Sequence, residues 1–263
     1  MRFTNISNAR DEGVRVIFDN KVVVITGAGS GIGRGFAIGF ARDGALVVGI
    51  SRSAADLATT RELCGGDKMH GVAGDISVEA DVDRLFAEVA RRHGRVDILV
   101  NNAALYPKAG FLESSHRDWA QVFQVNVMGM ALCCRKALPG MLERGHGRIV
   151  NVGTFAWRGP IPGASAYSVS KACVPVLTKS LAVEIDRARH PDVLVNELVP
   201  GVYRTRMSEG GEDPMDAYPH ARFVASLPSG GPTGETFLRS ELLVEYVGMR
   251  AKLRRIVRKL TGG

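Results

Sequence analysis

The run Val22-Val23-Val24-Ile25-Thr26-Gly27-Ala28-Gly29-Ser30-Gly31-Ile32-Gly33 decides the fold of this chain. Its first four residues are apolar and β-branched, the composition of a strand covered on both faces. Glycines follow at alternate positions, and Phe36, Ile38 and Phe40 then open a helix. Glycine lets the backbone turn sharply and lets a phosphate group approach the N–H groups at the helix start. The helix dipole adds roughly half a positive charge there. The spacing is Gly27-x-x-x-Gly31-x-Gly33, not the G-x-G-x-x-G form. On its own it also fits a tight turn that binds nothing.

Similar apolar runs recur outward along the chain, at 45–50, 69–73, 96–100, 147–152 and 193–199. Between them, Val82, Leu85, Phe86 and Val89 repeat at helical spacing, as do Trp119, Val122, Phe123, Asn126 and Val127. This alternation predicts an α/β fold: a Rossmann-like, doubly wound parallel sheet with helices on both faces, in one domain over 1–263. Three segments depart from it. Residues 1–17 form an N-terminal extension. The Gly/Pro-rich stretch 208–235 is too long for an ordinary connection and reads as a lid or substrate loop. Residues 249–263 place Met249, Leu253, Ile256, Val257 and Leu260 at helical spacing among six basic residues, a short basic amphipathic helix or tail.

A dinucleotide on the glycine turn needs a ribose contact about 20 residues on, at the end of the second strand. Ile50-Ser51-Arg52 stands there, without Asp or Glu. A guanidinium able to pair a phosphate, with no acid for the ribose 2′-hydroxyl, favours NADP over NAD. Further on, Tyr167 and Lys171 are four apart and share one helix face. A phenol with pKa near 10 is a poor base at neutral pH. An ammonium one turn away, together with an oxidised nicotinamide, favours the phenolate. Tyr167 could then give a proton to a carbonyl oxygen or take one from an alcohol while hydride passes to or from the cofactor.

TGAGSGIG at 26–33, GDI at 74–76, NNAA at 101–104, Asn126, Tyr167-Ser168-Val169-Ser170-Lys171 and Pro200-Gly201 together resemble the short-chain dehydrogenase/reductase family over about residues 18–206. The resemblance implies an NADP(H)-dependent oxidoreductase acting on a ketone or secondary alcohol. Its catalytic set would be Asn126, Thr154, Tyr167 and Lys171, with Asn126 interrupting its helix to hold a water linking Lys171 to solvent. Thr154 and Gly153 depart from the usual pair of serines. Threonine keeps the hydroxyl, while its methyl restricts χ1 and narrows the pocket. Cofactor contacts would come from Gly27, Ser30, Gly31, Ile32, Gly33, Ser51, Arg52, Asp75, Ile76, Asn102, Ala103, Tyr167, Lys171, Pro200, Gly201, Val202 and Thr205. An NAD-dependent alcohol dehydrogenase of the same family, or a catalytically silent dinucleotide-binding protein, are the alternatives. The family also implies a homo-oligomer, a tetramer or dimer.

Composition bounds the remaining choices. Thirty-four Lys plus Arg against 27 Asp plus Glu give a net charge of +7. The last fifteen residues carry six bases and no acid, so the rest is nearly neutral and no nucleic-acid stripe is expected. Cys64, Cys133, Cys134 and Cys173 lack metal spacing and read as reduced, buried thiols of a cytoplasmic protein. No metal is expected. The N-terminus has no apolar core of a signal peptide, and no apolar run is long enough to span a bilayer. Tyr106, Phe155, Trp157, Tyr203, Met207, Met215, Tyr218 and Phe223 are candidates for lining a pocket suited to a bulky, uncharged substrate. The stretch 231–237 is similar to tails of some carbonyl-reductase-like members. Pro175 should bend the helix that carries Tyr167 and Lys171.

Overall fold

The computed structural model describes residues 17–244. The basic helix expected at 249–263, and all of the N-terminal extension except Ile17, lie outside the described residues.

The opening run folds as β1 (Val22–Thr26) and α1 (Gly31–Arg42), joined by the glycine turn. Then follow β2 (Leu46–Ser51), α2 (Ala54–Leu63), β3 (Met69–Ala73), α3 (Glu79–His93) and β4 (Ile98–Asn101). The second half holds α4 (His116–Phe123), a π-turn (Gln124–Gly129), α5 (Met130–Arg144), β5 (Gly147–Val152), α6 (Ser165–Glu184) and β6 (Val193–Val199). It ends in α7 (Tyr218–Ala225), β7 (Thr236–Leu238) and β8 (Glu241–Leu242). Among the described residues these strands make one sheet in the order β3-β2-β1-β4-β5-β6-β7-β8. Every pairing is parallel except β7 with β8. The order reverses between β1 and β4, and a crevice opens there at the carboxyl ends of the strands.

Alternating residues of β1 feed two cores. Val23 and Ile25 pack on one face with Phe36, Phe40, Ala221 and Val224, from α1 and α7. Val22 and Val24 pack on the other with Leu85, Val89, Cys133 and Met141, from α3 and α5. Both faces are covered, which is why the strands read as unbroken apolar runs.

Two expectations need correction, one about 208–235 and one about Cys173. The stretch 208–235 is not one open loop: residues 214–217 form a 3-10 turn leading into α7, and both pack on α1. Gly35 and Gly39 permit this, because a Cβ at either would collide with Pro214 or the Tyr218 ring. Asp43 then ties the helix down, accepting from Tyr218 Oη and Arg222 Nε, each at 2.6 Å. The 231–237 stretch runs into a further parallel strand beside β6. Cys173 is half-buried on α6, whereas Cys64, Cys133 and Cys134 are buried. Helix α6 does not end at Pro175, and α5 likewise contains Pro139.

Candidate active site

A cavity of about 900 Å³ fills the crevice. Its floor is the glycine turn. Gly27 and Gly31 have φ of +69° and +53°, which side chains rarely tolerate. A Cβ on Gly33 would strike the Gly27 carbonyl and the Asn102 amide. Ser30 begins α1 without a capping hydrogen bond from its side chain, and the first turn holds no acid. The leading N–H groups of α1 therefore face the cavity with no side-chain cap, as an anion site requires.

The surrounding residues are held by short local bonds. Thr26 Oγ1 accepts from Asn102 N at 2.9 Å and Ala103 N at 3.0 Å, fixing the loop after β4 beside the turn. Asn102 Nδ2 donates to the Thr26 carbonyl at 3.0 Å. Asp75 accepts from the Ser77 N–H and hydroxyl, so its loop is self-braced, and Ile76 packs behind it in the core. Ser51 and Arg52 line the cavity at the end of β2, with Arg52 exposed. Pro200, Gly201, Val202 and Thr205 line it from beyond β6.

The opposite wall carries Thr154, Tyr167 and Lys171. Thr154 follows β5, and its hydroxyl accepts from Ala156 N at 3.2 Å while hydrogen-bonding the Tyr167 phenol. Lys171 is buried, and its ammonium donates to the Val152 carbonyl at 2.8 Å. It stands 6.0 Å from the centre of the Tyr167 ring. Burial pushes the Tyr167 phenol up to about 12, against the Thr154 hydrogen bond that favours ionisation. Burial pushes Lys171 down to about 8, opposed by the Glu197 carboxylate. In the protein alone desolvation dominates, and Thr154 supplies the opposing contact.

Asn126 lies within the π-turn, as expected of a residue that interrupts its helix. Its side chain is fully buried. Oδ1 accepts from Leu105 N at 2.7 Å, and Nδ2 donates to the Leu105 carbonyl and to Ser170 Oγ. The amide thus pins the loop after β4 to α6 and does not itself reach Lys171.

Comparison with known proteins decides the family. The profile of the short chain dehydrogenases matches residues 21–215. This chain is a short-chain dehydrogenase. It is 38% identical over 190 residues to the (2S)-[(R)-hydroxy(phenyl)methyl]succinyl-CoA dehydrogenase subunit BbsD of Thauera aromatica, covering 72% of this chain and 75% of that protein. It is 34% identical over 200 residues to meso-2,3-butanediol dehydrogenase of Serratia marcescens, covering 73% and 75%. Among solved structures it resembles 3-ketoacyl-(acyl-carrier-protein) reductase of Brucella melitensis complexed with NADH, with a TM-score of 0.77 and 32% identity over 85% of this chain and 99% of that one. The chain is an NAD(P)-dependent dehydrogenase.

The glycine cradle and uncapped α1 fit the phosphates of such a cofactor. Asp56 and Arg206 line this dehydrogenase's cavity and are missing from the motif reading. Asp56, in the first turn of α2, accepts from Arg206 Nη1 and Nη2 at 2.8 and 3.0 Å, which joins α2 to the segment after β6. That salt bridge holds the Asp56 carboxyl below its ordinary range. Arg34 donates to the Gly29 carbonyl and Thr60 Oγ1 from behind the turn. Tyr106 lies against Tyr167, ring centres 4.6 Å apart. Of the pocket candidates, Tyr106, Tyr203 and Met207 line the cavity. Tyr218 and Phe223 instead pack on Phe40 and Phe237, and Phe155, Trp157 and Met215 are not among its walls. No motif marks Asp56 or Arg206; their pairing spans 150 residues and exists only in the fold.

Proposed function

We propose that this dehydrogenase uses NADP(H) to interconvert a ketone and a secondary alcohol, with Tyr167 as general acid and base. The observation that carries the reading is the wall of the cavity. There the Tyr167 phenol, hydrogen-bonded to Thr154 and backed by buried Lys171, faces a floor of backbone N–H groups. The bound nicotinamide supplies or accepts the hydride. Thr154 orients the substrate oxygen and Tyr167 donates the proton to it in reduction, or withdraws it in oxidation. Lys171 holds the proton that renews Tyr167. The water-holding role that the resemblance implies for Asn126 falls to its backbone in the π-turn, since its side chain is committed to Leu105 and Ser170.

For the cofactor, Gly27, Ser30, Gly31, Ile32 and Gly33 would hold the pyrophosphate, Ser51 and Arg52 the adenosine ribose, Asp75 and Ile76 the adenine, and Asn102 and Ala103 the second ribose. Pro200, Gly201, Val202 and Thr205 would hold the carboxamide. Arg52 supports NADP: it lines the cavity at the end of β2, while Arg206 is paired with Asp56, the acid at the start of α2. Arg52→Ala should weaken NADPH binding and leave NADH unchanged; tighter binding of NADH by the unaltered protein would overturn the NADP assignment. Apolar Ala156, Ile161, Pro162 and Met207 beside Tyr106 support a bulky, uncharged substrate. Val169, Val176 and Val183 are exposed at seven-residue spacing along α6, in keeping with a homo-oligomer, a dimer or tetramer. Sedimentation of the intact protein tests that directly.

A further inference from the structure

Behind Tyr167 the fold buries a charged group that the reaction above does not use. Glu197 lies midway along β6 and is 1% exposed. A carboxylate in a dry sheet layer is costly unless it is hydrogen-bonded and opposed by a cation. Both conditions are met. Thr236 of β7 donates its hydroxyl to Oε2 at 2.6 Å. On its other side the carboxylate abuts Gly153, where an added Cβ would overlap Oε1. Gly153 directly follows Val152, whose carbonyl holds the Lys171 ammonium. The Glu197 charge favours the protonated form of that ammonium against the burial that opposes it. Glycine at 153, a departure from the serine expected by resemblance, thus has a steric reason.

We propose that Glu197 is a positioning residue for the acid–base pair: its carboxylate, seated against Gly153, keeps the proton on Lys171 and so sets the pH range in which Tyr167 works. This rests on Tyr167 and Lys171 being that pair. The other ionisable groups near Lys171 are few. Tyr167 stands one turn earlier on its own helix, with Tyr106 beyond it. The π-turn contributes the amide of Asn126 and no titratable group, and Arg148 of β5 lies at the far end of its strand, paired with Asp192. Among the described residues Glu197 is therefore the acid packed behind this wall. Removing a negative charge lowers the pKa of any neighbouring acid, ammonium or phenol alike. The direction of the effect holds whichever member of the coupled pair carries the proton.

Glu197→Gln keeps the shape and an acceptor for Thr236 while removing the charge. Tyrosinate formation is followed by ultraviolet difference titration with NADP+ bound, with Tyr167→Phe as the blank, beside the pH profile of ketone reduction. In Glu197→Gln both midpoints should move to lower pH by about one unit, and Glu197→Asp should restore them. Should Glu197→Gln fail to fold, the double variant Gly153→Ser with Glu197→Ala refills the space with a neutral group and should show the same shift. Unmoved midpoints in a folded, neutral variant would overturn the proposal while leaving Tyr167 as the acid. If the unaltered protein shows no Tyr167-dependent tyrosinate, the acid–base reading fails and this proposal falls with it.

Discussion

The floor and the wall of the cavity are built by opposite means. The floor works by omission: glycines at 27, 31 and 33 withdraw side chains so that backbone N–H groups stand open at the start of α1. The wall works by burial: Tyr167, Lys171 and Glu197 bring ionisable groups into the protein, where the proton affinities of Tyr167 and Lys171 move. The floor can therefore fail through one methyl group and the wall through one charge. A steric site tolerates changes of pH, whereas an electrostatic site is defined by them.

The largest effect should come from the wall. Thr154→Ala removes the hydroxyl that meets both Tyr167 and the proposed substrate oxygen, and kcat should fall by about 100-fold. Thr154→Ser should retain most of it, and steady-state kinetics of the two variants separates the hydroxyl from the methyl. Next comes the floor. Gly33→Ala places a methyl against the Gly27 carbonyl and should cost about 1–3 kcal/mol of stability, together with most of the cofactor affinity. Thermal unfolding with and without NADPH checks it; an unchanged Tm with normal binding would show that the turn has room for a methyl group beside the Gly27 carbonyl.

The pH response should divide the two regions. With Lys171 lowered to about 8, kcat/KM for reduction should fall as pH rises through that value, while NADPH affinity should vary little over the same range. The same shift acts on stability. Between about 8 and the ordinary lysine value the unfolded chain binds more protons than the folded one, so the Lys171 contribution to stability rises with pH across that window. Urea titrations of Lys171→Met against the unaltered protein should show that rise only where the lysine is present. The smallest effect is expected at the rim. Arg206→Ala breaks an exposed pair with Asp56, and should raise the Kd for cofactor several-fold without moving Tm.

The contrast also explains what could be read from residues alone. Glycine spacing, apolar strands and the Tyr167–Lys171 interval are local patterns, and each lies where the reading put it. The parallel, doubly wound character of the sheet follows from the same alternation of strands and helices, whereas its strand order is visible only in the fold. The helix inside 208–235 is opaque to such patterns, because α7 owes its place to contacts with α1 and its end, through Gly35, Gly39 and Asp43, nearly 180 residues away. Asp56 and Arg206 gave no signal for the same reason. Glu197 did leave a trace, a lone acid in the apolar run Val193-Leu194-Val195-Asn196-Glu197-Leu198-Val199, but only the fold sets it against Gly153. The raised Tyr167 and lowered Lys171 likewise depend on burial that no spacing discloses.

Tyr167→Phe is the most direct test of the central claim, measured as NADPH oxidation over a panel of ketones beside a cofactor titration. Loss of the phenol should reduce turnover by at least about 100-fold with NADPH affinity unchanged. Turnover within a few-fold of the unaltered protein would contradict the account.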